Sequence, residues 1–172
     1  MRLLVLNCGP HASGNSATIA RQICNAAASR GTEVVWMDAG AMDITACQGC
    51  NACRKQGKCK IEDDMTKVVE EMARADVVLF AAPIYMAGIC GQGKCLLDRL
   101  NGLLTDDMEK GGMARLPPGK RAVTLLTCGL VDGDKIYSRL NVDLYRLFDT
   151  MLGFDFVLSA IVPSAALPED IL

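Results

Sequence analysis

A chain of 172 residues, 22% of them charged and with a net charge of −2, is the size of one domain with its own core, and its charge balance gives no support for general nucleic-acid binding. Met1 leads into Leu3-Leu4-Val5-Leu6, a run too short for a membrane span or a secretion signal, so a cytoplasmic protein is expected. In a reducing compartment, nine cysteines, an odd number, point to metal or redox chemistry over structural disulfides.

Leu3 to Leu6 reads as a buried parallel strand, followed at once by the loop Cys8 to Ser16. Ala20, Ile23, Cys24, Ala27 and Ala28 recur at helical spacing, and Gly31 is a stop signal, so a helix is expected over about 15–30. Glu33 to Met37 is a second strand. A cysteine-rich insertion at about 44–62 then interrupts the alternation of strands and helices. The next helix is capped by Asp63 or Asp64, carries Met65, Val68, Val69 and Met72 as an apolar stripe and pairs Glu70 with Arg74; it ends near Ala75.

Asp76 to Ala82 is the third strand, stopped at Pro83 where a ladder donor is lost. A third helix covers about 92–104, with Lys94, Asp98 and Arg99 on its surface and no chemistry assigned to them. Thr105 to Gly119 is polar, rich in Gly and Pro, and expected to be mobile. Ala122 to Thr127, Lys135 to Leu152 and Phe154 to Ile161 supply strand, helix and strand, and the Pro-containing tail from Val162 should not form a full helix. This order predicts a single domain over 1–172, a doubly wound five-stranded parallel sheet of order 2-1-3-4-5. A closing fifth helix is not encoded, so a partner subunit is expected to cover the face it would occupy.

In such folds ligands bind beyond the carboxyl ends of the strands at the switch point. The loop from Cys8 opens a helix, and its backbone N–H groups with Ser13, Asn15 and Ser16 make a cradle for an anion such as a phosphate. A plain turn with an Asn or Ser cap is the competing reading. The loop lacks the G-x-G-x-x-G and P-loop patterns, so neither a dinucleotide-binding nor a P-loop site is supported.

Cys47, Cys50, Cys53 and Cys59 are spaced C-x2-C-x2-C-x5-C. Three thiolates two residues apart can wrap one corner of a polynuclear centre and a fourth can close it, as in Cys-ligated iron–sulfur clusters. Zinc is a weaker reading, because structural zinc loops more often use two separated C-x2-C halves; labile redox thiols are the third. Between Thr45 and Lys60 there is no acid, while Arg54, Lys55, Lys58 and Lys60 lie there, a collar suited to an anionic cluster. Of the remaining cysteines, Cys24 and Cys95 read as small core hydrophobes. Cys8, Cys90 and Cys128 fall at or after strand ends, where one of them could be a reactive thiol.

Asn7-Cys8-Gly9-Pro10-His11-Ala12-Ser13-Gly14-Asn15-Ser16, the loop Ala82-Pro83-Ile84-Tyr85-Met86-Ala87-Gly88, the Lys94 to Arg99 run and the cysteine loop ending in Asp63-Asp64-Met65 together resemble the NAD(P)H-dependent FMN reductase superfamily, and within it the iron–sulfur flavoproteins. The resemblance implies a flavodoxin-like fold, FMN at the switch point, a nearby [4Fe–4S] cluster and a homodimer or homotetramer. By that resemblance His11, Ser13, Asn15 and Ser16 hold the FMN phosphate, Pro83, Ile84, Tyr85 and Met86 lie along the isoalloxazine, and Thr127, Cys128 and Gly129 line its other side. Two positions depart from the pattern: Gly9 stands where a serine is common, and His11 where an arginine is. Both changes should weaken the phosphate cradle.

The function expected from this is electron transfer through FMN and a [4Fe–4S] cluster, between a one-electron carrier such as ferredoxin and an acceptor, with no acid–base residue assigned. The alternatives are a clusterless reductase of FMN or quinones that takes hydride from NAD(P)H, and a redox or metal sensor built on the cysteine loop. No nucleic acid and no membrane are expected as partners.

Overall fold

The computed structural model describes residues 1–104 and 114–166. Five parallel strands form the sheet: β1 (Arg2–Asn7), β2 (Glu33–Asp38), β3 (Val77–Tyr85), β5 (Arg121–Thr127) and β6 (Asp155–Val162). Their order is β2-β1-β3-β5-β6, which is the expected 2-1-3-4-5 arrangement, with a short antiparallel β4 (Gly88–Ile89) paired to β3 beside it. The apolar runs of β1 and β3 are buried from both sides, as central parallel strands require.

Helix α1 (Asn15–Ala28) packs Ala20 and Cys24 on one face of the sheet, against Leu3, Val5, Leu79, Ala81 and Leu125. The other face carries α3 (Met65–Arg74), α4 (Gly91–Arg99) and α6 (Ser138–Tyr145), whose buried Met72, Leu96 and Leu144 join Leu4, Leu6, Phe80 and Leu126 in the larger core. Lys120, itself buried, donates from Nζ to the carbonyls of Ala73 and Ala75 at 2.7 Å each, tying the end of α3 to the start of β5.

Several local expectations are corrected. The third strand does not stop at Pro83: it runs to Tyr85, because Pro83 loses one donor yet still pairs with Thr127 and accepts from the Cys90 N–H at 3.3 Å. The turn that follows, Met86-Ala87, holds two non-glycine residues at φ 46° and 63° and returns the chain into β4. The third helix gives way to a 3-10 turn over Leu100–Leu103, and the fourth divides into α5 (Gly133–Ile136), α6 and a π-helical turn over Arg146–Met151. The cysteine insertion contains a short helix, α2 (Ala52–Gln56). Arg74 pairs with Glu71 at 2.9 Å instead of with Glu70, since Glu71 also accepts from Arg2 and draws the pair inward.

Asp64 stands at the capping position of α3 but makes no side-chain cap; Asp63, one residue before it, accepts from the Met65 N–H at 3.1 Å instead. The expectation of a mobile 105–119 segment falls mostly outside the described residues, as does the end of the tail; residues 163–166 are irregular, as the prolines predict. No helix among the described residues is long and apolar enough to cross a membrane.

Candidate flavin pocket and cysteine loop

The chain reverses its direction of travel between β1 and β3, and the loops leaving β1, β3 and β5 surround a cavity of about 430 Å³ there. That volume lies within the range of small-molecule and cofactor sites. One wall is the start of α1. Its capping position, Gly14, supplies no side-chain cap and the first turn holds no acid; Gly14, Asn15 and Ser16 line the cavity with the positive end of a fourteen-residue helix behind them. A plain Ser or Asn cap is therefore not what this turn is built for.

Of the predicted residues, His11, Asn15, Ser16, Pro83, Ile84, Tyr85, Thr127, Cys128 and Gly129 line this cavity. Two predicted residues are placed elsewhere. Ser13 is exposed and outside the lining, and Met86 is 99% exposed, because the tight turn at Met86-Ala87 throws its side chain outward. Asn15 donates from Nδ2 to the Ala165 carbonyl at 2.7 Å, so its amide ties down a segment that sequence reasoning left out. That segment, with Ala165 and Ala166, folds back onto the cavity through hydrogen bonds from Ala165 N to Cys128 O (2.8 Å) and Ser164 N to Leu130 O (3.1 Å).

Gly40 also went unnoticed in the sequence. It sits in the 3-10 turn after β2, and a methyl group there would stand 2.9 Å from the Gly9 carbonyl and 3.3 Å from that of Pro10. The turn after β2 thus braces the loop after β1 from behind.

Cys8 and Cys90 are buried, and the Cys90 thiol donates to the Cys8 carbonyl at 2.9 Å. Burial pushes both thiols up, Cys8 far up, so they stay protonated and are poor nucleophiles. Cys128 reaches the cavity wall but is 5% exposed, its sulfur pressed against Gly133. Cys24 is a core residue as expected, whereas Cys95 is only half-buried.

The four clustered cysteines occupy the loop between β2 and α3. Cys47 and Cys50 are exposed, Cys53 is buried against Gly102 with the Asn101 amide 3.8 Å from its sulfur, and Cys59 is half-buried. Gly49 and Gly57 take φ of 64° and 72°, the left-handed conformations that the bends on either side of α2 require. The donor set suits a thiolate-ligated cluster: four sulfurs, no intervening acid, and Arg99 beside Cys59 with a buried Nε–H that has no acceptor among the described residues. The sulfurs are not yet gathered. Among the described residues no three metal-ligating side chains stand together.

Arg99 and Asp63 hold the base of this loop. Their side chains are 2% and 1% exposed and meet in a two-pronged pair, Nη1 to Oδ2 at 2.6 Å and Nη2 to Oδ1 at 2.9 Å. Burial alone would push the Asp63 carboxyl up; the Arg99 guanidinium and the N–H groups of Thr45 and Met65 outweigh it and hold the carboxyl below its ordinary value.

A doubly wound sheet with an uncapped helix start and flanking loops at its switch point is the architecture of flavin-nucleotide-binding α/β proteins. The family model for NADPH-dependent FMN reductases matches residues 1–120, and the chain belongs to that family. It is 30% identical over 157 residues to an iron–sulfur flavoprotein of Archaeoglobus fulgidus, covering 91% of this chain and 74% of that one, and 32% identical over 99 residues to another from Methanocaldococcus jannaschii, covering 58% and 51%. These matches place it among the iron–sulfur flavoproteins; the chain spans about half the length of most of these relatives. In fold it is similar to an FMN-dependent NADH-azoreductase of Bacillus anthracis solved with FMN (TM-score 0.72, 15% identity, 100% of this chain and 92% of that one). An NAD(P)H:quinone oxidoreductase of Methanothermobacter marburgensis gives a TM-score of 0.75 at 16% identity, over 98% and 86% of the two chains.

Proposed function

We propose that this chain is a flavin-dependent oxidoreductase that binds FMN at the switch point and a [4Fe–4S] cluster on the cysteine loop, passing electrons between a one-electron carrier such as ferredoxin and an acceptor. The observation that carries the flavin half is the cavity of about 430 Å³ against an uncapped helix start. The cluster half is supported by the donor set and by the relatives named iron–sulfur flavoproteins.

Bound FMN would supply conversion between one- and two-electron steps. The residues would do the holding. The first N–H groups of α1, with Ser16 and His11, would carry the phosphate; Pro83, Ile84 and Tyr85 would flank the ring on one side, and Thr127, Cys128 and Gly129 on the other. Cys47, Cys50, Cys53 and Cys59 would ligate the cluster, with the basic collar offsetting its charge.

A second reading is favoured by one observation, the separation of the thiols: a clusterless reductase of FMN or quinones taking hydride from NAD(P)H. Anaerobic purification with an absorbance spectrum and assays of FMN, iron and sulfide separates the two. FMN with about four irons per chain and visible absorption that bleaches on reduction supports the first. FMN without iron, together with oxidation of NAD(P)H, supports the second, and neither cofactor overturns both.

The weakened cradle is correctable. A side chain on Gly9 would meet only ordinary contacts, 3.5 Å to Pro83 Cδ and 3.7 Å to Ser16 Oγ, so a serine hydroxyl fits there. Gly9→Ser with His11→Arg is expected to tighten FMN binding about tenfold through one added charge-assisted bond, read by fluorescence titration of the flavin.

The face over β5 and β6 beyond α1 leaves Leu158 55% and Val157 56% exposed, and a second copy of the chain is proposed to cover it. The mass in solution at micromolar concentration should correspond to a dimer or tetramer; a monomer sinks the idea.

A further inference from the structure

We propose that Arg99 and Asp63 are a clasp that sets the shape of the cysteine loop, Arg99 acting as the positioning residue for Cys59. The loop's two ends lie eighteen positions apart in the chain. Arg99 reaches both: beyond its paired bonds to Asp63, Nη1 donates to the Thr45 carbonyl at 2.7 Å and Nη2 to the Ile61 carbonyl at 3.5 Å. Asp63 in turn accepts from the Thr45 N–H at 3.0 Å. A second rung lies alongside, where the Asp43 N–H donates to Asp64 Oδ2 at 2.9 Å and the Asp64 N–H to the Asp43 carbonyl at 3.0 Å.

A buried ion pair is a poor device for stability alone, because desolvating two charges costs about as much as their attraction returns, and an apolar pair of the same volume often does as well. What the fork geometry does supply is direction, since planar guanidinium and carboxylate can meet in few ways. Here that direction fixes both strands of a loop otherwise without regular structure over 43–51. The unsatisfied Nε–H is the second observation. A buried donor without an acceptor is costly, and here it belongs to the same guanidinium that holds the Ile61 carbonyl, two residues from Cys59.

The clasp stands at one end of a helix whose other end reaches the wall of the second candidate site. Arg99 is the last residue of α4, and the residue before that helix, Cys90, is bonded through N to the Pro83 carbonyl and through Sγ to that of Cys8. One nine-residue helix therefore runs from a residue bonded to Pro83, in the pocket wall, to the base of the cysteine loop. The clasp stands on the hydrogen bonds alone; its relation to a metal centre rests on the proposed function.

The test compares the full chain, FMN-saturated, with Arg99→Lys, Arg99→Met and the double variant Asp63→Leu/Arg99→Met, by hydrogen exchange and by tryptic cleavage after Arg54, Lys55, Lys58 and Lys60. Arg99→Met should open the loop on the order of 100-fold faster, the effect of stranding one buried charge, and Arg99→Lys should fall between it and the wild type. The double variant removes both charges and should regain a wild-type melting temperature, yet its loop should stay fast, which a purely structural pair would not produce. FMN affinity should stay within about twofold of wild type throughout. Wild-type loop protection in the double variant overturns the proposal, and because that variant strands no charge, it decides the matter even if Arg99→Met fails to fold. Anaerobic reconstitution with ferrous iron and sulfide should leave the double variant with less than half the wild-type iron per chain. Full iron uptake in the double variant would overturn the positioning of Cys59, whereas a wild type that takes up no iron would overturn the cluster reading and leave the loop measurements to judge the clasp.

Discussion

Alanine in place of Gly40 is expected to weaken FMN binding about 10- to 100-fold while moving the melting temperature by only a few degrees. The added methyl would sit 2.9 Å from the Gly9 carbonyl oxygen and 3.3 Å from that of Pro10, closer than such contacts normally come. Both are main-chain atoms, so the clash cannot be relieved by a side-chain rotation. Either the turn after β2 or the loop after β1 must move. The loop is the softer of the two, since it lacks regular structure from Cys8 to Gly14, and it is the one that lines the cavity. With the FMN phosphate held on that loop as proposed, a shift of a few tenths of an ångström would remove one or two charge-assisted bonds, about 1.5–3 kcal/mol, or about 10- to 100-fold in affinity. Gly40 itself is exposed, so little core packing is at stake. Gly91→Ala is the control, because nothing lies near the methyl it would add and its φ is not positive. Flavin fluorescence titration of the three proteins checks this; equal affinities for Gly40→Ala and wild type would show that the brace behind the loop is irrelevant to the site.

The largest loss of stability is expected at Phe148. All four phenylalanines of the chain meet there: Phe148 lies 6.2 Å from Phe80, 5.7 Å from Phe154 in an edge-to-face contact, and 6.4 Å from Phe156 in a stacked one. Phe148 is fully buried in the π-helical turn that seats the last helix on β3 and β6. Truncation to alanine removes that ring and leaves a cavity between secondary structures that cannot collapse, so a loss of about 3–5 kcal/mol is expected, with Phe148→Leu costing less than half of that. Urea denaturation followed by circular dichroism reads it as a lowered midpoint at constant slope. The flavin pocket is on the far ends of the strands, so the surviving folded fraction of Phe148→Leu should bind FMN normally. A loss under about 1 kcal/mol for the alanine variant would mean the aromatic cluster is not the anchor of that helix.

Much of the fold was legible along the chain because each signal is local. A four-residue apolar run bounded by a loop, as at Leu3 to Leu6, needs only its own neighbours to be read as a buried strand, and the crossover rule then allows one topology. The gathering of the candidate residues was legible for the same reason: in such a sheet the loops after β1, β3 and β5 must meet at one edge, and nine of the eleven candidates line one cavity there. The misses share a cause. Met86 follows residues that do line the cavity, but two positive φ values in the hairpin turn it outward. The donor that Pro83 lacks is visible in the sequence, whereas the partner Thr127 that keeps the strand going is forty-four positions away. Glu71 outcompeted Glu70 for Arg74 because Arg2, a residue from the other end of the chain's core, was already there.

The cysteine loop divides along the same line. Its thiol spacing, its glycines at the bends and its basic collar are properties of a short stretch and can be read there, along with the order of strands and the place of the turn that opens α1. Only the tertiary structure decided that Arg99 closes the loop onto Asp63, that Gly40 braces the loop holding Gly9, and that Ala165 folds back to Asn15. Each of these joins residues far apart in the chain through geometry finer than any pattern of residue types, and such contacts exist only once the sheet has brought its loops to one edge.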